Sequence, residues 1–165
     1  VAPDGSVYVA GTDNNRIQKF TSEGVFVSQW GTVASGDGEF DYPTGVAVAF
    51  DGSVYVADTD NNRIQKFNSD GSFVSEWGTL GTNDGEFNFP YGVAVASDGS
   101  VYVTEVDNHR IQKFTSEGVF VSQWGTQGSD DGEFYYPIGV AVASDGSVYV
   151  ADSENHRIQQ FSVGQ

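Results

Sequence analysis

A period of 47 residues governs this chain. Asp-Gly-Ser-Val-Tyr-Val begins at Asp4, Asp51, Asp98 and Asp145, and Arg-Ile-Gln begins at Arg16, Arg63, Arg110 and Arg157. Both series advance without a gap. Residues 16–32 and 110–126 are identical, RIQKFTSEGVFVSQWGT. Periods of roughly 20–50 residues mark architectures in which a small unit stacks on its own copies, because one unit alone cannot bury its apolar faces. Any fold for this chain must therefore give each repeated residue a repeated environment.

One unit reads as four short strands. In the unit starting at Gly45, strand a is 45–49, strand b is 53–57, strand c is 63–67 and strand d is 72–77. Their β-branched and aromatic content suits strands, and no segment has helical periodicity. Asp51-Gly52 and Asp70-Gly71 are read as hairpin turns, in which both residue types tolerate positive φ. A polar loop, 58–62, joins b to c, and a longer linker, 78–91, leads to the next unit. Strand a carries Gly45, Ala47 and Ala49, as a crowded central axis requires. Pro43, Pro90 and Pro137 stand two residues before it, where a missing N–H costs little. Strand b is apolar on both faces, as a sheet buried between two others must be. Strand d is expected to be outermost and partly wet, which suits Trp30, Trp77 and Trp124 with their single polar atom.

These features predict an all-β chain: a β-propeller segment of four-stranded antiparallel blades, with about three and a half repeats visible across residues 1–165. The blades fall at approximately 1–30, 45–77, 92–124 and 139–161. The stretch PxGVAVAxDGSVYVADxxNxRIQKF, present as Pro43–Phe67, Pro90–Phe114 and Pro137–Phe161 with a truncated copy at Val1–Phe20, resembles the NHL-repeat consensus. That resemblance implies a propeller, usually of six blades, used mostly as a binding platform. The visible strand order, (a)bcd, abcd, abcd, abc, leaves two end faces to be covered. A longer propeller, a second copy closing a ring of about eight blades, or a strained four-bladed ring would each cover them. With no Met in the chain, it is expected to be a processed form or a piece of something longer.

Composition narrows the function classes. The net charge is −16, and all seven basic residues, Arg16, Lys19, Arg63, Lys66, Arg110, Lys113 and Arg157, lie in one recurring segment. No basic patch is left for phosphates, so nucleic acid and anionic membranes are poor partners. No stretch reaches the ~18 apolar residues of a membrane span. The chain has no Cys, which removes disulfides and thiolate metal sites. An acidic, Ser/Thr/Gly-rich surface suits a location outside the cell or at its surface.

The candidate binding residues are acids on the long-loop face: Asp37, Glu39, Asp58, Asp60, Asp84, Glu86, Glu105, Asp107, Asp131, Glu133 and Asp152, with Asp13, Asp130 and Glu154 nearby. A ring of acid could hold a cation, a basic peptide or a cationic surface; it could also simply keep the face soluble. Asp58-Thr59-Asp60-Asn61-Asn62 resembles the start of a calcium loop but lacks the later Gly and Glu of an EF-hand. A structural assignment suits it better. Asn14, Asn61, Asn108 and Asn155 would shape the b–c turn, and Arg63, Arg110 and Arg157 would pair with Asp58, Glu105 and Asp152, with Arg16 as their first-blade counterpart. His109 and His156 occupy the position of Asn15 and Asn62, so they read as loop hydrogen-bonders. Peptidyl-hydroxyglycine amidating lyases resemble this fold and use channel-lining His with zinc, but two His one blade apart do not make a ligand set. The recurring Asp-Gly-Glu-Phe at Asp37, Asp84 and Asp131 reads as a docking motif or, more simply, as a turn whose Phe40, Phe87 and Phe134 plug the gap between blades.

Near-identical blades present the same group at each rotation, whereas catalysis needs different groups converging on one centre. The variable positions are few, among them 33–36 against 80–83 and 127–130, and the residues around the prolines, Thr44, Tyr91 and Ile138. The sequence therefore reads as a non-catalytic scaffold for protein–protein interaction or surface assembly. It needs no cofactor, and its partner is another protein or another copy of itself. The competing reading is part of a propeller lyase or hydrolase with calcium or zinc in the central channel. RNA binding, known among NHL proteins, is opposed by the charge.

Overall fold

The computed structural model describes residues 1–162, which form fourteen strands and one short 3-10 turn in four antiparallel sheets. The first sheet holds β1 (Val7–Gly11), β2 (Arg16–Phe20) and β3 (Phe26–Trp30). The second holds β4 (Pro43–Val48), β5 (Val54–Asp58), β6 (Arg63–Phe67) and β7 (Phe73–Trp77). The third repeats it as β8 (Pro90–Val95), β9 (Val101–Glu105), β10 (Arg110–Phe114) and β11 (Phe120–Trp124). The fourth holds β12 (Pro137–Val142), β13 (Ser147–Asp152) and β14 (Arg157–Ser162). Strands pair in chain order within each sheet, and the sheets pack in sequence around an open arc with β4, β8 and β12 innermost.

Two local expectations need correction. The inner strand begins at the proline itself, two residues earlier than expected: Pro43 pairs with Asp58, followed by a bulge before Val46. A strand's first residue has no ladder N–H to donate, so proline is tolerated there. In the a–b hairpin only the glycine takes positive φ, at +88° for Gly52. The aspartate works through its carboxylate instead, and Asp51 Oδ1 accepts the Ser53 N–H at 2.9 Å. Asp4, Asp98 and Asp145 do the same for Ser6, Ser100 and Ser147.

Strand b is buried on both faces because its alternate residues feed different junctions. Val54 and Val56 of β5 meet Tyr8, Ile17 and Phe40 at the first junction. Tyr55 and Ala57 of the same strand join Ile64, Phe87, Val101, Val103 and Phe114 at the second. Tyr102, Ile111, Phe134, Val148 and Val150 fill the third. Each junction is thus one small core shared by two sheets.

The tryptophans are partly exposed, as expected of the outermost strand, but their polar atom does not face water. Trp30, Trp77 and Trp124 are half-buried, but their indole N–H groups are buried without an acceptor. The ring tilts against the next sheet, with Trp30 and Phe67 centroids 5.7 Å apart. It also lies over Gly71 in the next c–d turn, where an added methyl would come within 2.7 Å of the indole. Packing, rather than water, sets the place of the ring.

Candidate functional site

The loop end of the arc is built by a clamp that recurs at every junction. The acid ending strand b is fully buried: Asp58, Glu105 and Asp152 are all 0% exposed. Arg63, directly opposite on the adjacent strand β6, donates Nε to Asp58 at 2.7 Å. Its terminal nitrogens reach into the linker 31–42, to the carbonyls of Ser35 (2.8 Å), Gly36 (2.9 Å) and Glu39 (3.0 Å), and Nη1 also pairs with Glu76 on β7. Gln65 accepts the Gly38 N–H at 2.9 Å and donates back to the Glu39 carbonyl at 2.6 Å. Asn61 ties the Ala34 carbonyl to Asp58. On the other side, Asn15 of the preceding sheet accepts the Tyr42 N–H at 2.8 Å. Arg110, Gln112 and Asn108 hold the linker 78–89, and Arg157, Gln159 and Asn155 hold 125–136, in the same way.

The clamp fixes the linker so that Phe40, Phe87 and Phe134, all 0% exposed, plug the junctions. Phe87 meets Phe114 at 5.5 Å and 52°. Glu39, Glu86 and Glu133 serve the linker itself, accepting the N–H of Gly36 at 2.8 Å, Asn83 at 3.0 Å and Asp130 at 3.0 Å. Hydrogen bonds from Asn83, backbone first and side chain second, hold the Glu86 carboxyl below the ordinary range.

The acidic face therefore divides: the pairing of its strand-b acids with arginine was expected, their complete burial was not. Asp58, Glu105 and Asp152, expected on the binding surface, are internal ligands of the clamp, since a carboxylate taking four or five hydrogen bonds tolerates burial that water-seeking carboxylates do not. The leading carboxylate of the Asp58 loop accepts hydrogen bonds from Arg63, Gln65 and Asn61. Glu39, Glu86 and Glu133 are half-buried. Asp37, Asp60, Asp84, Asp107 and Asp131 stay exposed, with Asp13, Asp130 and Glu154 beside them. Asp41, exposed as well, was missed; only its neighbour Pro43 drew attention in the sequence. Its N–H is held by Asp58 at 2.8 Å, and its charge sits close enough to Asp60 to matter. Partial burial, then the charges of Asp41 and Asp58, push the Asp60 carboxyl up.

A model of the NHL repeat matches residues 40–67, 87–114 and 134–161. The chain belongs to the NHL repeat family. Each match runs from the plug phenylalanine to its ring partner on strand c, and so takes in the plug and the clamp's Arg, Gln and buried acid. Among solved structures, the chain is similar in fold to a streptogramin B lyase, with TM-score 0.70 and 19% identity over 100% of this chain and 53% of that one. It is similar to virginiamycin B lyase from Staphylococcus aureus, with TM-score 0.67 and 20% identity over 100% of this chain and 54% of that one. It is also similar to hydrazine synthase of Kuenenia stuttgartiensis, with TM-score 0.67 and 16% identity over 97% and 47% of the two chains. These likenesses identify the fold as a β-propeller, and the chain spans about half the length of each structure. No curated protein matches the chain.

The two histidines of the NHL repeats sit at left-handed positions, φ 51° and 54°, in the b–c turns. His109 Nδ1 accepts the Tyr136 N–H at 3.2 Å, the bond that Asn15 and Asn62 make with Tyr42 and Phe89. Its ring stacks on Tyr135 at 5.6 Å and meets Tyr136 edge-on at 5.1 Å. Among the described residues, no three His, Cys, Asp or Glu side chains converge as metal ligands would. No helix among them is long and apolar enough to cross a membrane.

The bond from Tyr136 requires neutral His109, and burial depresses its basicity against the opposing pull of Asp107 and Asp152. A folded-state pKa below the unfolded value of ~6.5 means that stability is present above that pH and is lost as pH falls through the window beneath it. The stability of the wild-type chain is therefore expected to fall as the pH drops below about 6.5, with a smaller fall in His109→Asn, where the acceptor no longer titrates. Urea midpoints across that range measure it.

Proposed function

We propose that these NHL repeats are a non-catalytic scaffold that recognises a cationic protein surface through the exposed acids of its loop face, in an extracellular or cell-surface setting. The observation that carries this reading is the division of labour on that face. The groups that differ chemically, Arg, Gln, Asn and the buried acids, are consumed by the clamp. Each linker leaves an acid in water at the same position, Asp37, Asp84 and Asp131, with Asp41 and Asp130 also exposed and Asp131 4.0 Å from Arg157. Equivalent like charges repeated by rotation focus a field on a partner and add through avidity, and they offer no mixed set for bond making.

A lysine-rich synthetic peptide is the probe. The wild type is expected to bind it at low ionic strength and release it as salt rises. Asp37→Asn, the double variant with Asp84→Asn and the triple variant with Asp131→Asn should weaken binding stepwise, each by about two- to fivefold, as rim charges do. Absence of binding, or complete loss at the first substitution, would contradict the reading. A second reading is a propeller lyase or hydrolase with zinc or calcium in the channel. It draws on the shared fold with the streptogramin B lyase, and stoichiometric metal in the purified protein would favour it.

A further inference from the structure

The three linkers enter their sheets through one backbone turn and differ in what that turn displays. Tyr42, Phe89 and Tyr136 all take left-handed φ, at 57°, 58° and 55°. Their N–H groups are held by Asn15, Asn62 and His109 of the preceding b–c turn. With the residue before each, the sets read Asn15, Asp41 and Tyr42; then Asn62, Asn88 and Phe89; then His109, Tyr135 and Tyr136. Of these sets the third alone is aromatic throughout. Its rings form one group: the Tyr135 and Tyr136 centroids lie 4.8 Å apart, and His109 lies 5.6 Å from the first and 5.1 Å from the second.

This group is no core. Tyr135 and Tyr136 are 37% and 36% exposed, whereas the plug ring next to them, Phe134, is fully buried. The opening belongs to the position, since Tyr42 is 38% exposed with two further sheets beyond its own. Acid flanks the rings. Asp107, exposed, is near enough for its charge to act on His109. Glu154, also exposed, donates its backbone N–H to the Tyr135 carbonyl at 3.0 Å. The buried Asp152 beside Tyr135 is already paired with Arg157.

Resting on the reading of the loop face as a receptor for a cationic protein surface, we propose that the Tyr135, Tyr136 and His109 rings seat an arginine side chain of that partner. Ring faces attract a cation, and carboxylates beside them raise its local concentration. A guanidinium suits the rings better than an ammonium, because it is planar, stacks on ring faces and is more weakly hydrated. The fold already uses cations over tyrosine: Lys19, Lys66 and Lys113 stand 5.2, 5.4 and 5.5 Å from the Tyr8, Tyr55 and Tyr102 centroids. Asp107 and Glu154 are what select positive charge over an apolar or sugar ligand.

Three peptides of equal length test this on the full chain: oligo-arginine, oligo-lysine and oligo-citrulline, the last planar like arginine but uncharged. The arginine peptide is expected to bind about two- to fivefold more tightly than the lysine peptide, with the citrulline peptide far weaker than both. His109→Asn with Tyr135→Asn gives the third junction the residues with which the second already folds, Asn62 and Asn88. That variant should keep its circular dichroism, lose the arginine preference and hold its lysine-peptide affinity within about twofold. The reverse exchange, Asn62→His with Asn88→Tyr, places the rings between Asp60 and Asp107 and should raise arginine-peptide affinity by about the same two- to fivefold. The triple variant at Asp37, Asp84 and Asp131 should weaken both charged peptides and leave the preference intact. Equal affinity for the arginine and lysine peptides, a preference that survives the first exchange, no gain from the second, or citrulline binding as tight as arginine would each overturn the proposal. Equal affinity would leave the cationic-surface reading standing, whereas failure of all three peptides to bind would contradict both.

Discussion

Arg110→Met is expected to cost about 3–5 kcal/mol of unfolding free energy. The guanidinium is the hub of the second clamp. It donates Nε to the fully buried Glu105 at 2.5 Å and holds the carbonyls of Thr82 at 2.7 Å, Asn83 at 3.1 Å and Glu86 at 2.9 Å. Removing it strands a carboxylate in a dry junction and leaves several carbonyls unpaired, and the penalty of the orphaned charge dominates. Two comparisons separate this mechanism from simple loss of volume. Arg110→Met combined with Glu105→Leu should recover a large part of the loss, because no buried charge remains. Arg16→Met should cost far less, since Arg16 has no acid beside it and its Nε has no acceptor. Urea midpoints at neutral pH, with slopes checked for constancy, give all three values.

Phe87→Ala is expected to cost a similar amount, about 3–5 kcal/mol, by a different route. The ring is 0% exposed, lies 5.5 Å from Phe114, and fills the space over Gly78, where an added methyl would overlap it. Its loss leaves a cavity at the second junction that two whole sheets would have to shift to fill. Stability in a repeat array is carried by intrinsic and nearest-neighbour contributions. Weakening the middle junction should therefore uncouple the halves, and unfolding should broaden or split into two phases. Leu80→Ser, in the same linker at a residue 68% exposed, should change stability by no more than about 0.5 kcal/mol.

The strands and their order were legible because the repeat supplies four readings of each position. Val54 and Val56 could be placed in a core, and Phe87 in a junction, from pattern alone. The start of the inner strand was misjudged because proline reads as a breaker, although a first-strand position forgives it. The pairing of Asp58, Glu105 and Asp152 with arginine was legible, but their complete burial was not. Asp58 and Asp60 are two residues apart in one polar loop, yet one is fully buried and the other exposed. Nothing in their spacing distinguishes them; the difference is that Asp58 ends a strand opposite Arg63, a register fact. Asp41 and the aromatic group around His109 were equally hidden, because they are assembled by linkers from neighbouring sheets.

The account turns on the linkers being parts of the junctions rather than surface loops. Residue-resolved amide exchange at Gly38, Gly85 and Gly132 tests this most directly. Each N–H is bonded at 2.9 Å to a glutamine side chain of the following sheet, Gln65, Gln112 or Gln159. The prediction is protection at Gly38 and Gly85 close to that of β6 and β10, lost together with those strands as denaturant is added. Exchange at the rate of an open loop, while the strands remain protected, would contradict it.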